Sequence, residues 1–109
     1  MQLTNTILRC TAILAFALLA IPLQARSVRG VVTDSQGKPV AKAAVRLKNS
    51  VTLRIRSVRT GADGRYRFTG LNPAMDYELR ASSQGQSSDW VVVSRFDEGD
   101  ERVVDLEVK

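Results

Sequence analysis

The chain has 109 residues, a formal net charge of +5, one cysteine and no histidine. A chain of this length supports a single domain. The lack of histidine excludes the common zinc ligand sets and the Ser-His and Cys-His pairs of nucleophilic enzymes. The composition therefore argues against an enzyme, and the sequence predicts no catalytic residue, no metal site and no cofactor.

The first predicted element is a secretory signal peptide at residues 1–25. Residues 12–23 carry no polar side chain, Arg9 precedes them, and Ala25 offers a small residue at a cleavage point. This apolar run is shorter than the roughly 20 residues that a bilayer-spanning helix needs, so no transmembrane span is expected after cleavage. We predict an exported protein, secreted or periplasmic, that loses Cys10 with the leader; an uncleaved leader acting as an anchor is the alternative.

The rest of the chain, residues 26–109, is predicted to be one β-domain. Short segments with alternating apolar side chains are separated by turns rich in Gly, Pro, Asn and Asp, which is typical of strands. Seven strands are expected, at residues 28–33, 44–48, 51–60, 65–69, 77–81, from 90 onward, and at 102–108. Because each strand has a single apolar face, the economical arrangement is a seven-stranded antiparallel sandwich of two sheets.

The third and fourth strands are predicted to pair as a hairpin through the turn at residues 61–64. Their alternation places Tyr66 and Phe68 toward the core, together with the apolar face formed by Val51, Leu53 and Ile55. Four arginines then project from one outer face: Arg54, Arg56, Arg65 and Arg67. The partner expected for this face is an acidic envelope component or an acidic envelope protein, since like charges opposed across a hairpin need an anion between them. The alternative is a solvated, arginine-rich face.

The turn and core positions resemble those of the carboxypeptidase regulatory-like domain family, a transthyretin-like, Ig-like sandwich. The matching residues in the first half are Gly30, Val32, Asp34, Gly37, Pro39, Val40, Ala43 and Val45. Those in the second half are Asp63, Gly64, Tyr66, Phe68, Leu71, Pro73, Tyr77 and Leu79. The resemblance implies a sandwich over almost the whole of residues 26–109. It implies no activity, because the histidines of related hydroxyisourate hydrolases have no counterpart here.

Two further features are candidates for binding. Trp90 begins a strand after a long polar run, where an exposed indole could stack on a sugar ring; the alternative is a rim residue of the core. The acidic turn from Asp97 to Glu101 groups oxygen ligands that suit a cation, although its spacing matches no dedicated calcium loop, and a solvated turn is the alternative.

The sequence therefore predicts a non-catalytic exported module that acts as a binding or structural accessory domain in the cell envelope. A carbohydrate-binding module that uses Trp90 is the second hypothesis, and a cofactor-free hydrolase is a remote third. Nucleic acid is not an expected partner. The identity of the partner and the oligomeric state are left open by the sequence.

Overall fold

The computed structural model describes residues 25–109, which form nine β-strands and no helix. The strands are β1 (Arg26–Thr33), β2 (Ala44–Asn49), β3 (Ile55–Arg59), β4 (Arg65–Leu71), β5 (Tyr77–Ser83), β6 (Gln86–Ser87), β7 (Val91–Val93), β8 (Glu101–Val103) and β9 (Leu106–Glu107). Within this range no helix is long and apolar enough to cross a bilayer. The predicted signal peptide, with Cys10, lies outside the described residues except for Ala25.

The strands form two sheets that face each other. Sheet 1 has the order β4-β1-β8, with β9 also paired to β1, and sheet 2 has the order β3-β2-β5-β6, with β7 also paired to β5. The prediction of an all-β, two-sheet architecture is confirmed. The pairing is not purely antiparallel, however, because β8 and β9 both run parallel to β1.

The predicted last strand, residues 102–108, is two short strands instead of one. Between them the carboxylate of Asp105 accepts a hydrogen bond of 3.0 Å from the Val31 amide, where a continuous ladder would use a main-chain carbonyl. A side chain thus replaces one rung of the sheet and interrupts the strand. Together with the added strand β6, this interruption gives nine strands within residues 25–109 in place of the predicted seven.

The core lies between the sheets and is built from alternate positions of the strands. Phe68, Leu47 and Leu79 are among its largest fully buried side chains. The inward positions predicted for the first, second, fourth and last strands are all buried: Val28, Val32, Val45, Leu47, Tyr66, Phe68, Val104, Leu106 and Val108. For these strands, the alternation of the sequence identified the core face.

The predicted hairpin between the third and fourth strands is wrong. β3 pairs with β2 in sheet 2, whereas β4 pairs with β1 in sheet 1. Thr60, which is buried, ties the end of β3 to the chain before β2: its hydroxyl donates to the Val40 carbonyl and accepts from the Ala43 amide. Because Thr60 is held on sheet 2, the turn at residues 61–64 carries the chain from one sheet to the other.

The face predicted for Val51, Leu53 and Ile55 is also wrong, since these side chains are 72%, 60% and 58% exposed. Residues 50–53 form the loop of the β2–β3 hairpin, in which the Asn49 carbonyl accepts from the Leu53 amide and Leu53 has a φ of 61°. This loop fixes the register so that Ile55 pairs with Lys48, an outward residue. The residues of β3 that point inward are therefore the other alternating set, which begins with the residue after Ile55.

Candidate functional site

The outer face of sheet 1 forms a shallow groove of about 770 Å³. Arg65 and Arg67 of β4 lie beside Arg29 of β1, and Arg59 of β3 also lines the groove. Register explains this grouping, because Arg29 pairs with Arg67 and Val31 with Arg65, and paired residues share a sheet face. Two of the four predicted arginines are thus brought together, and Arg29 joins them.

Three of the four arginines that line this groove are already matched by carboxylates, and the fourth, Arg59, donates to the Lys42 carbonyl. Glu101 of β8 forms ion pairs with Arg29 and, at 3.4 Å, with Arg67, and Asp63 lies 3.5 Å from Arg65. The hydrogen bond from Arg29, with the charges of Arg29 and Arg67, lowers the pKa of Glu101. The expectation that this face needs an external anion is therefore not supported by its geometry.

The other two predicted arginines lie elsewhere. Arg56 is an inward position of β3, since it pairs with Leu47, and its guanidinium lies 5.6 Å from the centre of the Phe68 ring. It also donates a hydrogen bond of 2.8 Å to the Thr69 carbonyl of β4, which closes the edge of the sandwich. Arg54 is exposed beside the β2–β3 loop. The prediction of one face with four arginines is therefore wrong.

The outer face of sheet 2 collects a different set of cations. Arg46 of β2 pairs directly with Arg80 of β5, and Lys48 pairs with Glu78. Arg59 of β3 does not join this set, because its guanidinium donates a hydrogen bond of 3.0 Å to the Lys42 carbonyl and its side chain lines the groove of sheet 1. None of the ion pairs found within residues 25–109 includes Arg46, Lys48 or Arg80, and Glu78 is the one carboxylate that the register places among them.

Trp90 lies on this basic face of sheet 2. It precedes β7, in which Val92 pairs with Glu78 and is 54% exposed. The Arg80 guanidinium and the Lys48 ammonium lie 5.6 Å and 6.0 Å from the centre of the indole ring. The residue is 44% exposed. The structure therefore places an accessible aromatic side chain next to cations that form no ion pair. We call this surface the Trp90 face: Trp90, Arg46, Lys48, Arg80 and Val92.

The acidic turn from Asp97 to Glu101 does not gather its side chains around one point. The Asp97 carboxylate accepts hydrogen bonds from Arg102 and from the Ser94 amide, while Glu101 turns toward the arginines of sheet 1. Among residues 25–109 no group of three or more acidic, histidine or cysteine side chains is arranged to hold a metal ion. Asp97 and Glu101 thus contribute to holding loops and strands together.

Arg46, Lys48 and Arg80 alternate with apolar residues in the sequence, which predicts that they point outward but does not indicate that they meet. Their grouping depends on the pairing of β2 with β5, which are separated by two other strands in the chain. No local sequence motif predicts the pairing of β2 with β5. The only sequence signal that could have identified the site is the isolated tryptophan, Trp90, next to a strand.

The sequence profile of the carboxypeptidase regulatory-like domain matches residues 27–109. The chain belongs to this family. The match spans every strand of both sheets except the first residue of β1, so the family and the observed sandwich describe the same part of the chain. A search of curated protein sequences gave no significant match.

Solved structures with a similar fold include enzymes and surface proteins. Catechol 1,2-dioxygenase from Acinetobacter sp. ADP1 superposes with a TM-score of 0.60 at 14% identity, over 82% of this chain and 54% of that one. The C-terminal domain of the shaft pilin SpaA from Lactobacillus rhamnosus GG has a TM-score of 0.53 at 8% identity, over 80% of this chain and all (100%) of that domain. A C-terminal fragment of the pilus adhesin SpaC from the same organism has a TM-score of 0.55 at 13% identity, over 80% and 45%. The regulatory-like domain spans about half of the dioxygenase, and these likenesses establish the fold alone.

Proposed function

We propose that this regulatory-like domain is a non-catalytic, exported module that binds an anionic partner in the cell envelope through the Trp90 face. The single observation that carries the proposal is the difference between the two outer faces. On sheet 1 the arginines are paired with Glu101 and Asp63, whereas on sheet 2 Arg46 and Arg80 face each other without a carboxylate. Like charges opposed in a sheet are unfavourable, and a bound anion would relieve them.

The family membership and the pilin and adhesin folds support a structural or binding role at the cell surface. They are consistent with export, which the apolar leader predicts independently. The carboxylates nearest the sheet 1 groove have structural partners: Asp105 accepts from the Val31 amide, and Glu101 pairs with Arg29 and Arg67. Their engagement favours a binding module over the remote hydrolase hypothesis.

The test compares the two outer faces in one assay. Purified protein is sedimented with an isolated envelope fraction at low and at physiological salt, as wild type, as Arg46→Gln/Arg80→Gln and as Arg29→Gln/Arg67→Gln. Each double variant removes two positive charges, so nonspecific attraction falls equally in both. We expect retention at physiological salt that only the sheet 2 variant loses. Equal loss in both variants, or no wild-type retention at physiological salt, would overturn the proposal.

A further inference from the structure

The indole of Trp90 lies within cation–π distance of two cations of sheet 2. The two cations near its ring, Lys48 and Arg80, belong to β2 and β5, the strands over which the side chain folds. Cations over an aromatic face are attracted by the ring quadrupole, which fixes the orientation of the ring. With 44% of the residue accessible, Trp90 leaves apolar surface open to a planar or ring-shaped ligand.

The arginines beside this ring have N–H groups that donate to no acceptor within residues 25–109. Arg80 uses Nε to donate to the Ser88 carbonyl at 3.1 Å, which leaves its terminal nitrogens without a hydrogen-bond acceptor among residues 25–109. The Arg46 side chain makes no hydrogen bond or ion pair with another residue in that range, and Arg46 pairs directly with Arg80. A guanidinium with free terminal N–H groups binds a carboxylate through two parallel hydrogen bonds.

We propose that the Trp90 face binds a carboxylate-bearing polysaccharide, with a sugar ring stacked on Trp90 and uronate carboxylates bound by Arg46 and Arg80. This inference rests on the proposed function and names the class of its partner. Both features of such a ligand match the Trp90 face. A sugar ring can stack on the indole, and its repeated carboxylates can lie between the two facing arginines. Lys48 adds a third positive charge, and Glu78 opposes binding because it is the one acid in the set.

A lipid surface fits this geometry less well. An indole inserts among lipid headgroups when it stands out from the protein, whereas Trp90 is held over the cations of its own sheet. The nearby exposed aliphatic side chains, Ile55 and Val92, lie on opposite edges of sheet 2. Strands β2 and β5 lie between them, and each of these two strands places a charged residue between Ile55 and Val92. A continuous apolar patch is therefore not formed.

The sequence contains a single tryptophan, so its fluorescence reports directly on the site. Purified protein is titrated with polygalacturonate and, as the matched control, with fully methyl-esterified polygalacturonan, which has the same backbone without the charge. We expect a saturable change in Trp90 emission with the acidic polymer at physiological salt. The esterified polymer should bind at least about tenfold more weakly, because each arginine loses its charge-assisted contact.

Four variants are compared by calorimetric titration or polymer affinity electrophoresis. Trp90→Ala and Arg46→Gln should each weaken polygalacturonate binding about tenfold, and Arg54→Gln, an exposed arginine off this face, should leave it unchanged. Glu78→Gln should tighten binding, because it removes the one opposing charge. Unchanged binding in Trp90→Ala, or weaker binding in Glu78→Gln, would overturn the inference.

Two outcomes separate this inference from the proposed function. If the envelope fraction retains the protein through Arg46 and Arg80 but polygalacturonate does not bind, the polysaccharide inference fails and the binding module stands. If vesicles of anionic phospholipid shift Trp90 emission at physiological salt and polygalacturonate does not, the partner is a membrane and the inference fails again. If neither the envelope fraction nor either probe binds, both proposals fail.

Discussion

The phenol of Tyr66 donates a hydrogen bond to the main-chain carbonyl of Val104, joining β4 to the junction between β8 and β9 across the central strand β1. Both residues are buried, at 4% and 5% exposure. Burial, followed by the nearby charge of Asp105, raises the pKa of Tyr66 above its ordinary value. The contact holds sheet 1 together at the point where Asp105 interrupts its last strand.

Replacing Tyr66 with Phe should lower the free energy of unfolding by about 1–3 kcal/mol, because the Val104 carbonyl then stays buried without its donor. The pH dependence gives a second readout. The pKa of Tyr66 is higher in the folded state than in the unfolded chain, so unfolding releases a proton above about pH 10 and wild-type stability falls as pH rises beyond that value.

Urea melts from pH 8 to 11 would measure both effects of Tyr66→Phe. Although the variant starts less stable, its stability should fall less steeply above pH 10 than that of wild type, because it has no phenol to ionise at this position. Parallel pH profiles for the two proteins would contradict the assignment of a buried, neutral phenol.

Gly30 lies where β1 passes Val104 and Tyr66. A Cβ atom at this position would stand 1.7 Å from the Val104 carbonyl oxygen and 3.1 Å from the Tyr66 ring. The carbonyl belongs to the main chain and cannot rotate away, so Gly30→Ala should destabilise the domain by about 3 kcal/mol or more. Gly61→Ala is the matched control, because its Cβ meets nothing closer than the Asp63 carboxylate at 3.1 Å. Chemical denaturation of both variants tests this, and equal midpoints would refute it.

Phe68 and Trp90 differ in what their removal should cost. Phe68 is 1% exposed and packs edge-on against Tyr66, with ring centres 6.1 Å apart, so Phe68→Ala should lose about 3–5 kcal/mol. Trp90→Ala removes a partly exposed ring and should cost much less, which makes it a folded variant suited to binding assays. A urea midpoint for Phe68→Ala equal to that of wild type would mean that this strand faces the other way.

Arg56 and Arg54 are neighbours in sequence with different roles in the fold. Arg56 covers the Phe68 ring and donates to the Thr69 carbonyl, so Arg56→Ala should destabilise the domain by about 1 kcal/mol through lost packing and lost cation–π attraction. Arg54→Ala should stay within about 0.5 kcal/mol of wild type, as is usual for an exposed residue. Thermal or urea unfolding of the pair checks this. A larger loss in Arg54→Ala would contradict the assignment of Arg56 to the sandwich edge.

Export should remove the leader after Ala25 and leave Arg26 as the first residue. β1 begins at Arg26, so cleavage there would leave the central strand of sheet 1 intact. Arg26 is 7% exposed and its guanidinium donates to the Ser94 carbonyl at 2.9 Å, which would hold the new terminus against the sandwich. Intact-mass measurement of the extracytoplasmic protein decides the matter. An exported species that still contains Cys10 would contradict it.

The sequence by itself determined the all-β class, the family and the core faces of most strands. Residues such as Val45, Leu47, Tyr66 and Phe68 were identified because alternation with period two is a local property of an extended chain that buries one face. Turn residues located most strand boundaries, because turn formation is also a local property of the chain. Only the inward face predicted for the third strand was wrong, because a four-residue loop ending in Leu53 shifts the register of this strand and exposes Ile55.

The tertiary structure decided which strands are neighbours and therefore where the charges meet. The two consecutive strands on either side of residues 61–64 suggested a hairpin. Instead, the hydrogen bonds of Thr60 hold β3 on sheet 2, and β4 pairs in sheet 1. Arg46 and Arg80 come together through a pairing between distant segments, and Glu101 contacts Arg29 and Arg67, which are 72 and 34 residues away in the chain. Strand order depends on the packing of the whole sandwich, which no local pattern of residues specifies.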